Sequence, residues 1–221
     1  PATRISRAAK RYRGQDVPLL FCDDDRAYGT DWAPRLLAEA ARRPECAVAL
    51  AGWDIAALRA RPHAATPRHQ RRPRNRDLIY RWARARQWLT GQGRVNLAQK
   101  PPRRIIAKSG FADVLEGYGG VVVKPDFFDD LAFDVPQDAF HVDDIWLSGL
   151  LAKKHIGIWL VANQFEPKTT AADKQAALYR ARVAQKGRAE LDAAAIAFLQ
   201  RQWGIWGGPD PALMHHGARI S

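Results

Sequence analysis

The chain has 221 residues, 47% of them hydrophobic, which suits one globular domain or one domain with a small appendage. No apolar run approaches the roughly 20 residues that span a bilayer, and the opening Pro1-Ala2-Thr3-Arg4 has neither a methionine nor the apolar stretch of a secretory signal. The formal net charge of +12 is concentrated: residues 59–104 hold fourteen basic residues and one acid, Asp77, while the remainder holds 35 − 14 = 21 basic against 23 − 1 = 22 acidic residues.

Residues 17–22 form an apolar run that stops abruptly at Asp23-Asp24-Asp25 and predicts a strand buried on both faces, as in a parallel sheet. Thr30 or Asp31 can cap a following helix, with Pro34 tolerated in its first turn, Leu36, Leu37 and Ala40 on one face, and Pro44 as its stop. Residues 46–52 predict a second strand. This strand–helix–strand order reads as a βαβ unit with a parallel pair. The two cysteines, Cys22 and Cys46, lie in or beside these runs and are expected as reduced core thiols of a cytosolic protein.

Residues 59–76, rich in Arg, Pro and His, read as a loop or mobile lid. An amphipathic helix is expected over 77–89, offering Leu78, Tyr80, Trp82, Ala85, Trp88 and Leu89 for packing, with Gly91 and Gly93 ending it. The basic block as a whole attracts anions: a nucleotide diphosphate, a lipid headgroup or nucleic acid. Farther on, Gly117-Tyr118-Gly119-Gly120 precedes the β-branched run Val121-Val122-Val123. Asp143-Asp144 opens a helix closed by Lys153-Lys154-His155 and Gly157, with acids and bases placed to match the helix dipole. A strand over 158–161 and mostly helical chain over 171–203 complete the pattern.

Three groups could carry chemistry. Three adjacent carboxylates repel unless a cation, donors or water compensate them. On an extended backbone Asp23 and Asp25 would point the same way and could share one Mg²⁺ or Mn²⁺, although an acidic turn with a capping aspartate would read the same. Asp143-Asp144 could supply a general base or merely cap its helix. Glu116 and the glycines 117, 119 and 120 could line a sugar pocket or only form a tight turn. The histidines have no metal-site spacing, and His215-His216 sits in a polar tail.

In order and context these pieces resemble the GT-A glycosyltransferases, above all the bacterial family-2-like group. The residues that carry the resemblance run from Leu19 through the acidic triplet to Arg26, Ala27 and Tyr28, then Trp32, Leu36 and Leu37, then 116–121 and 142–148. The resemblance implies an α/β fold with a mainly parallel, Rossmann-like sheet flanked by helices. It covers residues 1–162 with the basic insertion 59–104, and 163–221 is expected as a helical extension packed on it. It further implies that Asp23 and Asp25 bind Mn²⁺ or Mg²⁺, that Asp144 is the catalytic base, and that Asp24, Arg26, Glu116, Gly119, Gly120 and Asp143 contact donor or acceptor. The implied activity is hexosyl transfer, with inversion, from a UDP- or GDP-type nucleotide sugar to a hydroxyl acceptor in cell-envelope polysaccharide or glycolipid synthesis, in the cytoplasm or at the inner membrane surface. Only 22 residues precede Asp23, where family members carry a longer nucleotide-binding half. That departure keeps a second expectation open, a degenerate GT-A domain that binds metal or nucleotide without turnover. A nucleic-acid binder using the arginines with Trp82 and Trp88 is the third.

Overall fold

A computed structural model of the chain describes residues 2–55, 67–91, 101–136, 142–170 and 188–207. Helix α1 (Ala2–Arg11) leads into β1 (Leu19–Phe21); β2 (Arg26–Ala27) follows the acidic triplet, and α2 (Trp32–Arg42) connects to β3 (Ala47–Ala49) and β4 (Gly52–Trp53). After β5 (Gln70–Arg71) and α3 (Leu78–Thr90) come the short strands β6 (Ile106–Lys108), β7 (Gly110–Ala112) and β8 (Val114–Leu115), then β9 (Val121–Val123). Helix α4 (Asp143–Lys153), β10 (Ile158–Leu160), β11 (Lys168–Thr169) and α5 (Arg188–Trp203) close the described chain.

The protein is mixed α/β, built on a five-stranded sheet of order β1-β9-β3-β10-β7. Its direction differs from the expected mainly parallel sheet. Strand β9 is antiparallel to both β1 and β3, β10 is antiparallel to β7, and β3–β10 is the parallel pair. The strand–helix–strand unit therefore exists with β1 and β3 running the same way, but β9 lies between them. A short apolar strand buried on both faces reads identically in either direction, so its pattern cannot specify its neighbour.

Alternation along each strand divides the core in two. Ala47, Ala49, Val121, Val123, Ile158 and Leu160 face one cluster, which they share with residues of α1, α4 and α5. Val48, Val122 and Trp159 face the other, with Leu36 of α2 and Cys46. Helix α4 is apolar around its whole circumference, with every residue from Ile145 to Leu151 buried, as its place between sheet and α5 requires. Gly149 makes room for α5, because a Cβ there would stand 2.7 Å from Leu199 Cδ1.

Four other expectations change. Cys22 is exposed; Cys46 alone is a core thiol, its pKa pushed up to about 11 mainly by burial. Residues 67–76, read as part of a loop or lid, are instead stitched to the sheet. There β5 pairs with β6, Arg68 bridges to Phe111, and the buried His69 sits with Nδ1 3.1 Å from the Phe111 carbonyl oxygen. Helix α3 forms where expected, Asp77 accepting from the Tyr80 amide at its N-terminus, yet it buries none of its residues. Chain beyond residue 162 first adds a strand, β11, to β2 before any helix. The expected helix over 171–187, the parts of the basic block at 59–66 and 92–100, and His215-His216 lie outside the described residues. Among the described residues no helix is long and apolar enough to cross a membrane.

Two outcomes follow from this packing. Leu199→Ala, which empties a fully buried position against Gly149, is expected to lower unfolding free energy by about 2–5 kcal/mol in denaturant titration. With a thiol-reactive dye at neutral pH, Cys22 is expected to react in the native protein and Cys46 only after unfolding.

Candidate functional site

The acidic triplet follows β1 at the end of the sheet. Residues Asp24 and Asp25 form a turn, not extended backbone, so the geometry expected to aim Asp23 and Asp25 at one ion is absent. Asp25 turns inward. It is 6% exposed, its Oδ1 lies 3.6 Å from Arg26 Nε, and its carbonyl accepts from the Thr170 amide and hydroxyl. Asp24 stays exposed at the tip, and Asp23 is half-buried.

Asp23 meets Asp144 across Gly117. The position a Cβ would take on Gly117 is 3.2 Å from Asp144 Oδ1 and 3.6 Å from Asp23 Oδ1, so the two oxygens are at most 3.2 + 3.6 = 6.8 Å apart. These carboxylates come from residues 121 positions apart (144 − 23) and from different elements. Two further ties hold Asp144. Its Oδ1 accepts from the Gly117 amide at 3.0 Å, and its carbonyl accepts from the buried Ser148 hydroxyl at 2.6 Å. The same hydroxyl accepts from the Leu115 amide at 3.1 Å, which joins the first turn of α4 to β8. Placing both acids in that first turn matches the sequence expectation, and the free amides of the turn favour negative charge there.

Aromatic residues fasten the two loops together. The Tyr28 hydroxyl stands 3.0 Å from the carbonyl oxygens of both Asp23 and Tyr118, and Trp32 Nε1 donates to the Gly119 carbonyl at 2.8 Å. Gly120 adopts φ +93°, and a Cβ on it would collide with the Trp32 ring; one on Gly119 would stand 2.9 Å from Ala51 Cβ. Backbone conformation and packing thus account for both glycines. Burial, with the nearby Cys22 thiol, pushes the Tyr28 phenol above its ordinary range.

Arginines and further carboxylates stand beside this point. The Arg26 guanidinium lies 5.2 Å from the Tyr118 ring centroid. Tyr118 is shifted upward by burial, with Glu116 and Glu166 adding to the effect while Arg71 and Arg26 oppose it. The Glu166 carboxyl is likewise raised by burial against the pull of Arg103, Arg26 and Arg74. Glu166, Arg71 and Arg74 are the site neighbours that sequence reasoning missed. No motif marks Glu166, and the arginines were indistinguishable within a basic block. Glu116 and Asp143 are half-buried near the same loops. A cavity of about 240 Å³ lies elsewhere, lined by α2 residues such as Leu37 and Ala40 together with Cys46 and Val122.

Chemically, the site offers two carboxylates flanking Gly117, one of them fixed by a backbone amide, beside the Arg26–Tyr118 pair. Among the described residues no group of three His, Cys, Asp or Glu side chains is arranged to hold a metal ion. A divalent cation shared by the two carboxylates would draw their oxygens to within about 4–4.5 Å and take its remaining ligands from elsewhere. No protein-family model matches the chain, and no curated protein matches it.

Ser148→Ala would leave the buried Leu115 amide without its acceptor and free the first turn of α4. Denaturant titration is expected to show a loss of about 1–3 kcal/mol.

Proposed function

We propose that the chain is a glycosyltransferase-type enzyme that moves a sugar from a nucleotide diphosphate donor to a hydroxyl acceptor. One observation carries this reading: Asp23 and Asp144, remote in sequence, converge on Gly117 at the end of the sheet. Rims of sheets at strand ends are where ligands gather in open α/β folds. The resemblance to GT-A enzymes in the order of acidic triplet, glycine patch and acidic pair supports the same assignment.

In this reading Asp144 is the base that takes the proton from the acceptor hydroxyl. Its carboxylate is oriented by the Gly117 amide and its backbone by Ser148, so little reorganisation accompanies proton transfer. Asp23 would hold Mn²⁺ or Mg²⁺, with Asp25 contributing by orienting Arg26 instead of ligating. A bound divalent ion supplies neutralisation of the diphosphate charge. Arg26, with Arg71 and Arg74 nearby, adds cationic groups for the departing diphosphate. Asp24, Glu116 and Asp143 are left to contact donor or acceptor hydroxyls.

The burial of Asp25 against Arg26 favours a second reading, in which the same rim binds metal and nucleotide without turnover. One experiment separates the two. Transfer and hydrolysis of UDP- and GDP-sugars are measured with Mn²⁺ for the wild type, Asp23→Asn and Asp144→Asn, alongside calorimetry of UDP and GDP binding. The enzyme reading expects turnover that falls about 10²–10⁴-fold in Asp144→Asn while nucleotide affinity is retained. Equal rates in wild type and Asp144→Asn would remove Asp144 as base. Binding with no turnover in any protein would leave the second reading.

A further inference from the structure

Helix α3 faces the wrong way for a structural helix. Its inner side, Tyr80, Ala83, Arg84 and Gln87, is half-buried, and Asp77 at its start is buried with Oδ2 3.6 Å from Arg103 Nε. Its outer side carries the large apolar residues. Leu78 is 72% exposed, Trp82 67% and Leu89 69%, with Ile79 and Trp88 each 52% exposed beside them. Leu78, Trp82 and Leu89 are spaced by four and seven residues, so they form one stripe along a helix about 20 Å long.

Arginines border that stripe. Arg81 and Arg86 are exposed on either side of it, and Arg86 reaches to 5.9 Å from the Trp82 ring centroid. Arg71, Arg74 and Arg76 are exposed on the chain that leads into the helix. The one acid of the basic block, Asp77, is only 3% exposed, so this face presents positive charge without a compensating carboxylate from its own segment.

We infer that α3 is an interfacial helix that docks the protein on an anionic phospholipid bilayer. The occupant follows from charge and shape together. A bilayer surface takes Leu and Ile into the acyl boundary, Trp at the headgroup level and Arg on the lipid phosphates. A second copy of the chain would set arginine against arginine along the same stripe. Nucleic acid would satisfy the arginines and stack on the tryptophans, but it offers nothing to Leu78, Ile79 and Leu89. This inference is independent of the chemistry assigned to Asp23 and Asp144.

The test uses the full chain with phosphatidylcholine vesicles, with and without phosphatidylglycerol. Cosedimentation is expected with the anionic vesicles only, weakening as salt is raised. The double variants Trp82→Asp/Leu89→Asp and Arg81→Gln/Arg86→Gln are each expected to weaken it roughly tenfold or more, with thermal midpoints close to the wild type. Brominated acyl chains are expected to quench tryptophan fluorescence of the unmodified protein, and less so in Trp82→Phe/Trp88→Phe. Absence of binding to anionic vesicles overturns the inference, as does binding that neither double variant weakens. Oligonucleotide binding or self-association that depends on these residues, without vesicle binding, gives the face to another partner and equally overturns it.

Discussion

One hydrogen bond organises the candidate site: the Gly117 amide donating to the Asp144 carboxylate. A residue with no Cβ suits that position, because a Cβ would stand 3.2 Å from Asp144 Oδ1 and 3.6 Å from Asp23 Oδ1 and press on the carboxylate the amide holds. The bond also requires the first turn of α4 to sit against β8, which the bifunctional Ser148 hydroxyl enforces from inside the core. Both residues act on the position of Asp144, the glycine through its amide and the serine through the backbone of the first turn. The geometry of the rim therefore depends on packing between α4 and the sheet, and α4 packs deeply through its buried run Ile145–Leu151, where Ser148 is the one polar side chain.

The strands of the core were legible because apolar and β-branched runs at Leu19–Phe21, Ala47–Ala49, Val121–Val123 and Ile158–Leu160 have no other stable place. Their order and direction were not. Pairing is decided by backbone groups and by what covers each face, and Val122 would alternate equally well in a parallel neighbour. Two-residue strands such as β2 and β11 carry no pattern at all, so the anchoring of Arg26 by Thr169 was invisible. The helix start at Asp143-Asp144 was readable from charge, but its partner across Gly117 was not, since no local rule links residues so far apart. Three identical aspartates likewise hid their different fates, with Asp25 in a turn against Arg26 and Asp23 at the rim.

The basic segment shows how the same residue type divides its labour. Arg68 is spent on Asp113 at 2.9 Å and ties the insertion to the chain between β7 and β8, while Arg103, on Asp77 and the Arg72 carbonyl, ties the insertion to itself. Arg71 and Arg74 act electrostatically on Tyr118 and Glu166. Arg81 and Arg86 border an exposed apolar stripe. A net charge read from composition merges these roles; burial separates them.

The ties that shape the rim also set when it can exist. Trp32 reaches Gly119 across 87 positions, Tyr28 reaches Tyr118 across 90, and Thr170 reaches Asp25 across 145. Such non-local contacts raise contact order, and the chain entropy of closing those loops is lost before any of the bonds is gained. The acidic loop precedes α4 in the chain but acquires its final shape only once chain well past α4 has folded back onto it. The rim therefore has no local route to its shape: its geometry depends on the same long-range contacts that close the sheet.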